Sequence, residues 1–234
     1  TPAPLWSRGL GDVYKRQQIY SNLVDGFKYV FTSQTISAVI VITIFMNLLL
    51  FPYMQMVTVV SKEVLNVGPL LMGILMASDG MGALIGSIGI ASQDRMKYHG
   101  RIYLYGSLLS LGALFVFSSS SIYFISLALL LFLGIGTSGF GTMQSTIVLL
   151  VSKPELRGRA LGVVTIAIGA GPIGSLIIGA VSEWIGSSSA LMINSVLGFI
   201  LVAASGFLMP SIRGQILPAT VSNQPTRSGS VTKV

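Results

Sequence analysis

Cysteine is absent from the 234 residues. That excludes a disulfide framework, a thiolate metal site and a cysteine nucleophile. Histidine occurs once, as His99, so multi-histidine metal constellations are excluded as well. Charge is the third scarcity. Only 9% of the residues are Asp, Glu, Lys or Arg, against roughly 25% in soluble domains. A water-facing surface cannot be built from so few charges, and with 52% hydrophobic residues most of the chain must have lipid as its solvent. No cofactor or metal is expected. A membrane-embedded enzyme would need a nucleophile with its base, or clustered carboxylates and histidines, and neither pattern occurs. The net charge of +7 raises nucleic acid as a partner, but the basic residues form no soluble patch.

What is present is a series of long apolar runs. They fall at about 37–60, 69–91, 102–117, 122–151, 160–184 and 190–209. Each is near the ~20 residues that a helix needs to cross a bilayer. Lipid offers backbone groups no hydrogen-bond partners, so such runs are helices rather than strands. The expected fold is an all-α integral membrane bundle of six transmembrane helices over 36–209. Before it, residues 18–35 carry Leu23, Phe27, Val30 and Phe31 at helical spacing, which predicts an amphipathic cytoplasmic linker helix. After it, residues 210–234 are rich in Ser, Thr, Pro and Gln and predict a disordered tail.

Loop charge sets the orientation. The second connection holds Arg95, Lys97 and Arg101, and the fourth holds Lys153, Arg157 and Arg159. On the opposite side Lys62 is the only basic residue, while 118–121 and 186–189 are uncharged. Basic loops stay in the cytoplasm. Both ends of the bundle are therefore expected there, in a multi-pass protein of the cytoplasmic (plasma) membrane.

Asp79 is the only acidic residue deep within a run, about ten residues in and so near the midplane. Ionisable groups at that depth are costly and face protein or a wet cavity. Two readings of Asp79 stay open, a proton-coupling or counter-ion carboxylate and a protonated acid bonded to a neighbouring helix. Asn47, Tyr53 and Gln55 in the first run, with Gln144 and Ser145 in the fourth, are further candidates for a polar cavity lining. Asn194, in the last run, is assigned to packing. Ser78, Gly82 and Gly86 stand four residues apart, as do Gly171, Ser175 and Gly179. Such stripes let helices approach closely.

The string from Lys153 to Gly162, KPELRGRALG, places Arg–Gly–Arg at a helix start, where guanidinium groups can hold carboxylates or lipid phosphates. With the glycine-rich helix after it, this string resembles the loop between helices ten and eleven of major facilitator superfamily transporters. The likeness is nearest to the enterobactin-exporter-like and drug-efflux branch. Residues 25–30 (DGFKYV) resemble that branch's segment before helix seven, and 47–53 (NLLLFPY) with 67–69 (VGP) resemble helix seven and its outer loop. Gly169, Gly171, Pro172 and Gly174 resemble the glycine–proline pattern of helix eleven. The loop 93–101 (QDRMKYHGR) only loosely resembles the superfamily's Gly-x-x-x-Asp-Arg-x-Gly-Arg motif, because its spacing is stretched.

The resemblance implies the C-terminal half of a twelve-helix fold. It also implies export of a small molecule by alternating access, driven by protons. The missing N-terminal six-helix half would then be a partner, together with the lipid bilayer, the small-molecule substrate and protons; nucleic acid would not. Arg95, Arg101, Glu155, Arg157, Gly158 and Arg159 would form the cytoplasmic loop motifs. Gly82, Gly86, Gly171, Pro172 and Gly174 would serve packing and gating. An intact six-helix protein acting as a dimeric channel, carrier or scaffold is the alternative.

Residues 7–17, SRGLGDVYKRQ, resemble the in-frame translation of a sequencing adapter. Residues 1–17 are therefore expected to be a non-native leader, and the natural reading frame to extend upstream of Gln18. Setting aside Arg8, Asp12, Lys15 and Arg16 lowers the net charge from +7 to +5.

Overall fold

The computed structural model describes residues 26, 28–93 and 98–216. Residues 1–17 (the expected leader), half of the expected linker helix, Arg95 and the tail from 217 lie outside the described residues. Among those described, the chain is helical with no strand, and six segments are long and apolar enough to cross a membrane.

Prolines punctuate the helices. The first span, Gln34–Glu63, consists of α1 (Gln34–Phe45), a π-helical segment (Met46–Leu50) and α2 (Tyr53–Glu63). Pro52 has no N–H to give the carbonyl of Leu48, so the regular ladder cannot run through it. The ladder widens instead, and the Phe51 N–H bonds the Met46 carbonyl five residues back. α3 (Pro69–Ala91) begins with Pro69 in its first turn, where a missing N–H costs nothing. α4 (His99–Ser118) and α5 (Tyr123–Val151) are continuous. The fifth span breaks after Ile168, so that α6 (Arg157–Ile168) is followed by α7 (Gly171–Ile185) with Pro172 in its first turn. Only Gly186 separates α7 from α8 (Ser187–Leu208), and its φ of 85° is open to glycine at little cost.

α5 is the central element, with α3 on one side and α4 on the other. Close approach there depends on glycine. A Cβ at Gly82 would collide with the Leu131 carbonyl, one at Gly134 with the Asp79 carbonyl, and one at Gly86 with the Ser138 hydroxyl. Gly106 and Gly136 bring α4 against α5 in the same way. Between helices in lipid, attraction comes from such dispersion contacts rather than from expelling water. Ile42, Met46, Leu50, Tyr103, Leu111, Leu114, Leu130 and Leu133 fill the centre of the bundle and are almost fully buried.

The second small-residue stripe does not behave as its spacing suggests. Gly179 has open space where a Cβ would stand, and Gly174, off that stripe, presses on the Leu48 carbonyl that Pro52 leaves without its usual donor. The break just before α7 sets the facing side, and simple extrapolation of the stripe misses it.

The basic connections meet at one end of the bundle. The Lys153 N–H donates to the Tyr29 hydroxyl, and Gly26 lies against Arg159 and Val163. Residues 28–32 are helical, with Val30 buried and Phe31 exposed, and the helix stops at Ser33. The expectation of a disordered tail from Pro210 needs correction for residues 210–216. A turn of 3-10 helix, Pro210–Ile212, seats the fully buried Ile212 beside Gly100, and Ile216 is buried too. Two isoleucines among polar residues were enough to anchor this stretch. At the opposite end the Ser187 hydroxyl donates to Glu63, tying α8 to α2.

Candidate functional site

A cavity of about 540 Å³ opens on the bundle where α3, α5 and the π-helical segment meet. Asn47, Phe51, Ala83, Ser87, Phe140 and Gln144 contribute to its wall, with Thr137, Ser138, Thr142 and Ile168 around them, and none of the lining residues is charged. The π-helical turn places Asn47 on this wall, and its amide nitrogen donates to the Thr43 carbonyl at 2.9 Å.

Behind the wall runs a buried relay. The Gln144 amide nitrogen lies 2.7 Å from the Thr43 hydroxyl, which lies 3.0 Å from the Tyr103 hydroxyl, and Tyr103 donates to the Val39 carbonyl at 2.9 Å. Three spans are joined by it. Phe140 stacks on Tyr103 with ring centroids 5.2 Å apart and tilts against Phe51 at 5.8 Å, so the aromatic floor and the relay hold each other in place.

Asp79 stands outside the lining, one helical turn from Ala83 and two from Ser87 on the same side of α3. The Tyr53 hydroxyl donates to its Oδ2 at 2.7 Å, and its Oδ1 is buried without a hydrogen-bond partner among the described residues. Tyr53 is the first residue of α2, directly after Pro52. The break in the first span thus aims its phenol across at α3.

The structure brings together Asp79 with Tyr53 and, separately, Asn47 with Gln144. Gln55 and Ser145 are exposed and outside the cavity wall. Gly171 lies near the Asn47 side-chain oxygen, and Pro172 beside it opens α7. Asn194 is buried, its amide 3.5 Å from the Leu49 carbonyl, a contact at the limit of hydrogen bonding.

The loop candidates sit at the basic end, away from the cavity. The Arg101 guanidinium lies over the Tyr98 ring at 4.2 Å, and its Nε donates to the Arg213 carbonyl at 3.0 Å. Glu155 and Gly158 are exposed, Arg157 is partly buried, and Arg159 lies beside Gly26. Arg95 lies outside the described residues.

Four of the six apolar spans line this uncharged cavity, and one carboxyl group lies a helical turn from it. A family described as transmembrane secretion effector, within the major facilitator superfamily, matches residues 8–226. The chain belongs to that family. It is a multi-pass membrane protein of a transporter family, not of an enzyme family. No curated protein matches the chain. For a secretion effector, two members of the relay, Thr43 and Tyr103, are residues that sequence reasoning missed. The available signal was a tyrosine within an apolar run, whose hydroxyl needs a partner once buried.

Proposed function

We propose that the chain forms one wall of a secondary active exporter that carries a small molecule across the cytoplasmic membrane by alternating access. The observation that carries this reading is the uncharged cavity opening between apolar spans. The two least buried spans, at 22% for Pro69–Ala91 and 28% for Pro154–Ile185, both contribute to its wall. A second six-helix bundle seated on those spans would enclose the cavity, as binding sites formed between repeats are enclosed in such carriers. The basic end, with residues 28–32, Lys153, Arg157 and Arg213, faces the cytoplasm in this reading.

Asp79 is the proton-coupling group. It has one oxygen held by Tyr53 and the other without a partner, one turn from the cavity. Taking up a proton changes what it offers Tyr53, and that bond links the segment beyond Pro52 to α3. The absence of cysteine makes the test clean. Ala83→Cys, introduced as the sole thiol, should react with a membrane-impermeant maleimide applied from one face of the membrane. Adding Asp79→Asn should change its labelling rate by severalfold. An unreactive thiol would remove the cavity from consideration, and an unaltered rate would remove Asp79 from the coupling role.

A further inference from the structure

The directions of the hydrogen bonds around the cavity specify what its wall offers a ligand. Val39 contributes a carbonyl, which can only accept, so the single Tyr103 proton points to it. Tyr103 must then accept from Thr43. Thr43 has one proton and has given it, so it must accept from Gln144. The Gln144 amide is thereby fixed with its nitrogen toward the relay and its oxygen away from it. Asn47 is fixed independently, because its nitrogen donates to the Thr43 backbone carbonyl.

Neither Asn47 Oδ1 nor Gln144 Oε1 takes part in a hydrogen bond among the described residues, and neither is a sealed, partnerless atom, while both residues line the cavity. Three of the four hydroxyls of the wall are also spent as donors, and only the Thr142 hydroxyl makes no hydrogen bond among the described residues. Ser87, Thr137 and Ser138 donate their protons to the carbonyls of Ala83, Gly134 and Ile135 on their own helices. What remains toward the cavity is mainly acceptor oxygens, outnumbering the donors left over (the Thr142 hydroxyl and the second N–H of each amide), above an aromatic floor of Phe51 and Phe140, with no charged side chain in the lining.

Resting on the reading of this cavity as the substrate site, we infer that it selects uncharged amphipathic molecules bearing hydrogen-bond donors, such as hydroxyls or amide N–H groups on an aromatic body. A ligand whose hydroxyls are capped places oxygen against oxygen there and leaves the acceptors dry and unpaired. A cationic ligand meets oxygens but no counter-charge in the lining, and loses its hydration for little return.

The probes are 4-hexylresorcinol, its dimethyl ether and 6-phenylhexylammonium. Each is equilibrated with the full chain in lipid nanodiscs and corrected for partitioning into empty discs. The resorcinol should bind more tightly than the ether by about tenfold, the affinity equivalent of one unmade bond to a buried acceptor. Tyr103→Phe frees the Thr43 proton to turn toward Gln144 and lets the amide reverse, so the preference should shrink while the resorcinol still binds. Gln144→Met, which deletes the acceptor, should also shrink it, and thermal unfolding checks that both variants fold.

Equal binding of resorcinol and ether, with both protecting Ala83→Cys from maleimide, would overturn the donor rule and leave the cavity as a binding site. Tighter binding of the ammonium compound would overturn it in favour of cations. No binding and no protection would overturn both the rule and the cavity reading beneath it.

Discussion

Replacing Gly134 by alanine adds one methyl group, yet the structure predicts a larger effect than most changes of that size. The new Cβ would overlap the Asp79 carbonyl oxygen and crowd the Ala83 N–H. Both are backbone atoms, so no side-chain rotation relieves the overlap and α3 must move bodily away from α5. Overpacking of a tight interface typically costs about 1–3 kcal/mol. A backbone-to-backbone clash belongs at the upper end of that range, and Gly82→Ala, which meets the Leu131 carbonyl, should match it.

Gly89 and Gly112 serve as controls, since a Cβ at either has nothing within 4 Å. There the loss of backbone freedom in the unfolded chain dominates, and alanine should be neutral or stabilising by up to ~1 kcal/mol. The four variants, unfolded with sodium dodecyl sulfate from mixed micelles and followed by circular dichroism, should split by sign. The displaced α3 carries Ala83 and Ser87, so the first pair should also alter labelling of Ala83→Cys. Four variants of equal stability would refute the argument that these glycines set the α3–α5 distance.

Tyr53→Phe, Asp79→Asn and the double variant form a thermodynamic cycle. Its coupling should be about 1.5–3 kcal/mol when the carboxyl is ionised and about 0.5–1.5 kcal/mol when it is protonated, so the coupling should fall as pH is lowered. Phe140→Ala removes the ring shared by Tyr103 and Phe51 and should destabilise the protein by about 3–5 kcal/mol, measured in the same unfolding assay. Arg101→Ala deletes the bond to the Arg213 carbonyl and should speed proteolysis after residue 209 severalfold, read by mass spectrometry, without lowering global stability by more than about 1 kcal/mol. Glu155→Cys and Ser189→Cys should be labelled from opposite faces of the membrane, and labelling from one face would refute the orientation drawn from loop charge.

The six spans were legible because lipid imposes one strong rule, long apolar runs, and each run has its helix. Gly82 and Gly86 were legible for a related reason, since a stripe of small residues in lipid has few uses besides close contact. The relay through Thr43, Tyr103 and Gln144 was not legible. Hydroxyls in membrane helices usually bond within their own helix, as Ser61 and Ser107 do here, and nothing local marks Thr43 and Tyr103 as hydroxyls that reach across. Thr43 and Gln144 stand 101 residues apart in sequence, and only the packed bundle brings them together. Gly134 and Gly136 carry the other half of the glycine contacts but sit in a run dense in glycine, where spacing alone does not choose a face. The widened turn before Pro52 was half visible: the proline announced an interruption, but not that the ladder would expand and turn Asn47 into the cavity wall.

Two interrupted helices touch near their interruptions. The Leu48 carbonyl, denied its regular i+4 donor by Pro52 in the first span, is the atom against which Gly174 presses, six residues beyond the break after Ile168 in the fifth. Helices bend where their ladders are already open. A flexion of the first span at residues 46–50 therefore pushes directly on α7, close to the fifth span's own weak point. The glycine interlock meanwhile keeps α3 and α5 at fixed separation. The bundle is thus mechanically uneven, a stiff pair of helices beside a jointed pair whose hinges bear on each other, and the cavity lies between the stiff side and the jointed one.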